Sequence, residues 1–186
     1  MNNLLKKLSG GDLRSDGRAN EVAEEIVKNP RLIDKLFRGL SVSDDVIRAR
    51  TTHALEKISR TNPELLREIM PWLIKLAYED EVPMVKWHLA MIFGNIPNSQ
   101  KNLDEIISTL IYFLKDKSNF VKSWSISSLA IQGRKNQNKR RKIIVSITLL
   151  TNHKSASIRS RARKALKILE NESERIPRTW KKAVQK

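Results

Sequence analysis

Two tryptophans and a dense set of bases are the side chains of this sequence best suited to chemistry with a partner. Arg134, Lys135, Lys139, Arg140, Arg141 and Lys142 crowd one stretch, and Arg159, Arg161, Arg163, Lys164 and Lys167 crowd the next. Arginine and lysine hold fixed positive charge at neutral pH, so clusters of them bind phosphates or carboxylates. No carboxylate occurs between Asp116 and Glu170, so the charge is not cancelled locally. The formal net charge is +16, split as +3 over residues 1–60, −2 over 61–120 and +15 over 121–186. Such asymmetry points to a polyanionic partner, nucleic acid or an acidic protein surface. Trp87 and Trp124 lie beside bases, Lys122 among them. A tryptophan there can stack on a nucleobase for about 1–3 kcal/mol, or anchor a protein interface.

Other chemistries find no residues. The chain has no cysteine, which removes disulfides, thiol nucleophiles and thiolate metal ligands. His53, His88 and His153 have no ligand-type spacing, so no metal is expected. No glycine-rich phosphate loop and no nucleophile paired with a base is present, so neither catalysis nor a cofactor is expected. No apolar run reaches the roughly 18–20 residues that span a bilayer, and Met1 to Leu8 is too short an apolar core for a signal peptide. A cytoplasmic protein without a membrane partner is the expectation; the oligomeric state stays open.

The elements that must position these residues repeat. Ile47 to Ile58, Val85 to Ile96, Val121 to Gln132 and Ile158 to Leu169 share one grammar: an aliphatic residue, a base, then small or apolar residues at +4, +7, +8 and +11. The starts are 38, 36 and 37 residues apart. Helical periodicity within each copy and a period of that length together indicate an α-solenoid. Five helix pairs are expected, near residues 4–28, 30–60, 63–96, 101–133 and 138–170. They form one domain over 1–172, with 173–186 a basic capping segment. Asn29-Pro30 and Asn62-Pro63 are expected to cap and open helices, and Pro71 to kink the helix it lies in. In the second copy, Val85, Leu89, Ile92, Phe93 and Ile96 fall within one arc at 100° per residue and form the core stripe. In the last, Ile158, Ala162, Ala165, Leu166 and Leu169 do so. Trp72 is expected in the core and Trp180 in the cap.

Asp80 before Val85-Lys86 and Asp116 before Val121-Lys122 resemble the pattern of HEAT repeats, as does Pro71 in its first helix. Val42 and His153 depart from it at the aspartate position. The resemblance covers about residues 14–170. It implies an all-α, right-handed superhelix of HEAT-like pairs, armadillo-type in the broad sense, with second helices lining a concave face and a scaffold or adaptor role. Some relatives of that architecture are alkylpurine DNA glycosylases, whose catalytic aspartate follows a tryptophan by four residues. Here those positions hold Leu76, Met91, Ser128 and Val184. None is a carboxylate, so the resemblance fails where the chemistry would be.

Two rows flank the core stripe. Arg48, Lys86, Lys122 and Arg159 stand at +1, and Arg50, His88, Trp124 and Arg161 at +3. On an inner face they make a basic ladder with Trp87 and Trp124 interleaved. The competing expectation is structural: +1 bases paired to repeat aspartates, and Trp124 packed between repeats. The functional expectation is therefore a noncatalytic scaffold that binds another macromolecule by its concave face and basic C-terminal end. Nucleic-acid binding through the basic third is the alternative.

Overall fold

In a computed structural model, residues 2–97 and 101–180 are described, and ten α-helices occur among them with no strand. They divide into two compact units, one ending at Ile92 and the other beginning at Phe93.

The first unit starts with α1 (Asn3–Leu8), whose Asn2 side chain caps it by accepting the Leu5 N–H, and which buries Leu4, Leu5 and Leu8. Gly10, Gly11 and Gly17 then take φ of 81°, 69° and 54°, a region that side chains disfavour, and make the loop to α2 (Ala19–Lys28). Ala19, Val22, Ala23 and Ile26 are the buried face of α2, as their spacing requires. The next segment is helical but tightened: α3 (Ile33–Phe37) is flanked by 3-10 turns at Pro30–Leu32 and Arg38–Ser41. Then come α4 (Asp45–Thr61), capped by Asp44 at the Val46 and Ile47 N–H groups, α5 (Met70–Glu79) and α6 (Pro83–Asn95). The second unit contains α7 (Leu103–Phe113), α8 (Asn119–Lys135), α9 (Gln137–Thr148) and α10 (Ala156–Glu170).

Second helices α4, α6, α8 and α10 carry the four copies of the repeat. The core stripe of α6 is as expected, since Val85, Leu89, Ile92, Phe93 and Ile96 are all fully buried. Removing each from water contributes about 1.5–3 kcal/mol. Gly94 and Gly133 mark where these helices approach neighbours too closely for a side chain. A Cβ on Gly94 would meet Ser128 Oγ at 2.5 Å, and one on Gly133 would meet Leu169 Cδ2 at 2.5 Å. Gln132, also fully buried, donates to the carbonyls of Phe93 (2.8 Å) and Ile96 (3.2 Å) and so closes the end of α6.

Several local expectations are corrected. Pro71 does not kink a helix; it occupies the first turn of α5, where its missing N–H has no partner to lose, and the residues before it form a separate 3-10 turn, Pro63–Leu66. Asn29 and Asn62 cap nothing through their side chains. Trp72 is not core but 37% exposed, and in α10 Ile168 is buried where Leu166 is only half-buried. Ala49, at the position in its copy that Trp87 takes in the second, is fully buried. The capping segment 173–186 lies partly outside the described residues; up to Trp180 it has no helix, although Trp180 is buried.

Candidate functional site

The +3 row is not an open ladder. In α4, Arg50 is buried and its guanidinium donates to five backbone carbonyls: Leu8 (3.0 Å), Ser9 (3.3 Å), Gly10 (2.6 Å), Asp12 (3.1 Å) and Ser15 (3.1 Å). His88 is buried as well, stacked on His53 with ring centroids 4.5 Å apart. Trp87 is half-buried, and its indole N–H donates to His88 Nε2 at 3.2 Å. Burial holds the His53 imidazole below its usual pKa, against the opposing pull of Asp16, whose Oδ1 lies 3.3 Å from Nδ1.

In the second unit, Arg161 lies between two indoles, with its guanidinium carbon 5.7 Å from the Trp124 centroid and 5.5 Å from that of Trp180. The arrangement is a double cation–π contact. Arg161 also donates to Ser127 Oγ at 2.8 Å, and burial draws its pKa down. Trp124 thus packs against Arg161 of its own chain, and Trp180, in the segment after α10, packs on the same guanidinium.

Most of the bases between Arg134 and Lys142 are also engaged internally. Arg134 donates to the carbonyls of Ile168 (2.7 Å), Asn171 (3.0 Å), Glu172 (2.5 Å) and Glu174 (3.0 Å), which closes the end of α10. Lys135 donates to the Ile96 carbonyl and Lys139 pairs with Asp104. Arg140 donates to the Gly133 carbonyl and pairs with Glu172 at 3.2 Å. Lys142 is exposed and reaches Ser108 Oγ at 3.3 Å, while Arg141 is simply exposed on α9.

One surface of α10 is uncovered among the described residues. Ala156, Arg159, Ser160, Arg163, Lys164 and Lys167 line a shallow groove of about 440 Å³. Arg163 and Lys167 are exposed one turn apart; Arg163 has only a 3.5 Å contact to the Thr151 carbonyl, and Lys164 pairs with Glu174. No described helix follows α10.

The +1 row explains how such a surface arises. Arg48 joins consecutive repeats: its Nε donates to Asp80 Oδ2 at 2.8 Å, and Asp80 Oδ1 accepts the Val82 N–H at 2.8 Å. Asp116 likewise accepts the Ser118 N–H, at 2.7 Å. His153 holds the same turn with a neutral atom, its Nδ1 accepting the Ser155 N–H at 3.0 Å. The turn survives and the negative charge is lost. Partial desolvation, followed by Lys122, Lys154 and Arg159, keeps the His153 pKa low. The expected result of His153→Asp is therefore added stability, about 0.5–1 kcal/mol for a partly exposed pairing. Thermal unfolding should rise by about 1–4 °C; a lower midpoint would mean that the carboxylate finds no cation there.

No family model and no curated protein matches the sequence. Solved structures do. The chain is similar to computationally designed armadillo repeat proteins for modular peptide recognition, with a TM-score of 0.67 and 19% identity over 89% of this chain and 80% of that one. It is also similar to a designed armadillo repeat protein in complex with the peptide (KR)4, with a TM-score of 0.65 and 18% identity over 89% and 80% of the two chains. The fold is thus an all-α helical-repeat solenoid of the armadillo and HEAT type. None of the described helices is long and apolar enough to cross a membrane.

Proposed function

We propose that this protein is a noncatalytic helical-repeat scaffold that binds a polyanionic macromolecule on the open basic surface of α10. The observation that carries the reading is the contrast between the bases. Arg134, Lys135, Lys139 and Arg140 are used within the fold, whereas Arg163 and Lys167 extend from a groove with no acid in its lining. A neighbour of this fold is in complex with the basic peptide (KR)4. This chain carries +16 itself, so a basic ligand would be repelled here and an anionic one attracted.

The test is a salt titration of binding to labelled polyglutamate, a single-stranded oligonucleotide and a duplex, with wild type and Arg163→Glu/Lys167→Glu. At least one polyanion should bind at low salt, and the double reversal should weaken it tenfold or more. On duplex DNA, log K should fall by about 0.9 per phosphate neutralised for each decade of salt. No binding of any polyanion at low salt would overturn the reading.

A further inference from the structure

The open surface of α10 also has a specific geometry, and Arg48 supplies its template. Arg48 uses its whole guanidinium. NH1 donates to the loop carbonyls of Val42 (3.0 Å) and Ser43 (2.9 Å), NH2 to Asp45 (2.6 Å), and Nε to Asp80 of the following repeat (2.8 Å). The carbonyls fix the side chain, and the two carboxylates fill the rest of the fork.

Arg159 repeats only the first half. Its NH1 donates to the loop carbonyls of His153 (2.8 Å) and Lys154 (2.9 Å), the counterparts of Val42 and Ser43. Both carboxylates are missing. Two residues before the repeat start, where α4 has Asp45, α10 has Ala156, and no described helix follows to bring a second aspartate. The side chain is thus pre-positioned by its loop, with its remaining donors beside a groove that Ala156 and Ser160 keep shallow.

We infer that this surface docks an acidic polypeptide segment, which places a side-chain carboxylate on the unfilled donors of Arg159 and further acids against Arg163 and Lys167. The internal template for the occupant is a carboxylate on a packed repeat, as Asp80 is for Arg48. Small residues at Ala156 and Ser160 permit the close approach of about 8–10 Å between axes that helix packing needs. Arg159, Arg163 and Lys167 recur every four residues, about 6 Å along the axis, which matches acids one turn apart on a partner helix. The inference rests on the anionic reading above and narrows its partner to protein.

Binding is measured by fluorescence anisotropy at low salt and at about 0.15 M, where exposed charges are screened beyond roughly 8 Å. The probes are a helical peptide with Asp or Glu at every fourth position, its Gln counterpart, and single-stranded and duplex oligonucleotides. Wild type should bind the acidic peptide and not the Gln peptide. Arg159→Lys keeps the charge but loses the fork, and should weaken peptide binding at least tenfold, whereas Arg141→Lys on α9 should leave it unchanged. Ala156→Asp restores the internal carboxylate and should also weaken binding tenfold, which keeps the test decisive if Arg159→Lys folds poorly. Equal peptide binding by wild type, Arg159→Lys and Ala156→Asp would overturn the inference. A preference for an oligonucleotide over the peptide would overturn it too, while leaving the anionic reading intact; no binding of any probe at low salt would remove both.

Discussion

Arg50→Ala should cost about 3–4 kcal/mol of folding free energy and lower the thermal midpoint by roughly 6–16 °C. The guanidinium holds five carbonyls, from the end of α1 through Ser15, and is buried while it does so. Hydrogen bonds from a charged donor contribute about 1.5–3 kcal/mol each when measured singly, but five on one group are not additive. Alanine would also leave the Leu8 carbonyl, an end group of α1, without that donor. The loop is shaped around this side chain: a Cβ on Gly17 would stand 2.8 Å from the guanidinium carbon. Urea unfolding gives the free energy, and amide exchange should accelerate first in residues 9–17. A loss under about 1 kcal/mol, the size of one ordinary hydrogen bond, or exchange unchanged in that loop, would contradict the account.

Arg134→Ala is the second large effect, expected at about 2–3 kcal/mol. Its four carbonyl acceptors lie at the end of α10 and in the segment after it, and half-burial makes water a partial substitute. The comparison with Arg163→Glu/Lys167→Glu separates two roles for bases in one charged third of the chain. The Arg134 variant should shift the urea midpoint and change anion affinity little once folded; the double reversal should do the opposite. A stable Arg134→Ala protein that loses anion binding would return Arg134 to the binding surface.

Much of the fold is legible in the sequence because helical periodicity is a local property. The stripe Val85, Leu89, Ile92, Phe93 and Ile96 is buried as its spacing requires, and four copies in phase define the repeat. The less legible features depend on partners distant in sequence. Arg50 and Arg161 look like solvent-facing bases in the +3 row, yet one is bound by carbonyls 35–42 residues away and the other lies between Trp124 and Trp180. Nothing periodic encodes those contacts. Pro71 is ambiguous for a different reason: the same residue type that kinks a helix interior also starts a helix, and only the backbone distinguishes the two. The open surface of α10 is partly legible, since His153 visibly stands where Asp80 and Asp116 do in the two preceding copies.

The arginine-to-carbonyl clamps at Arg50 and Arg134 have a consequence for which sequence changes the fold can absorb. Every residue carries a backbone carbonyl whatever its side chain, so the residues that accept from these two guanidinia can change identity and still offer the same acceptors. The Arg48–Asp80 link between repeats, by contrast, needs a carboxylate side chain at one position. Drift in sequence therefore spares the acceptor side of both clamps and breaks the Arg48 joint.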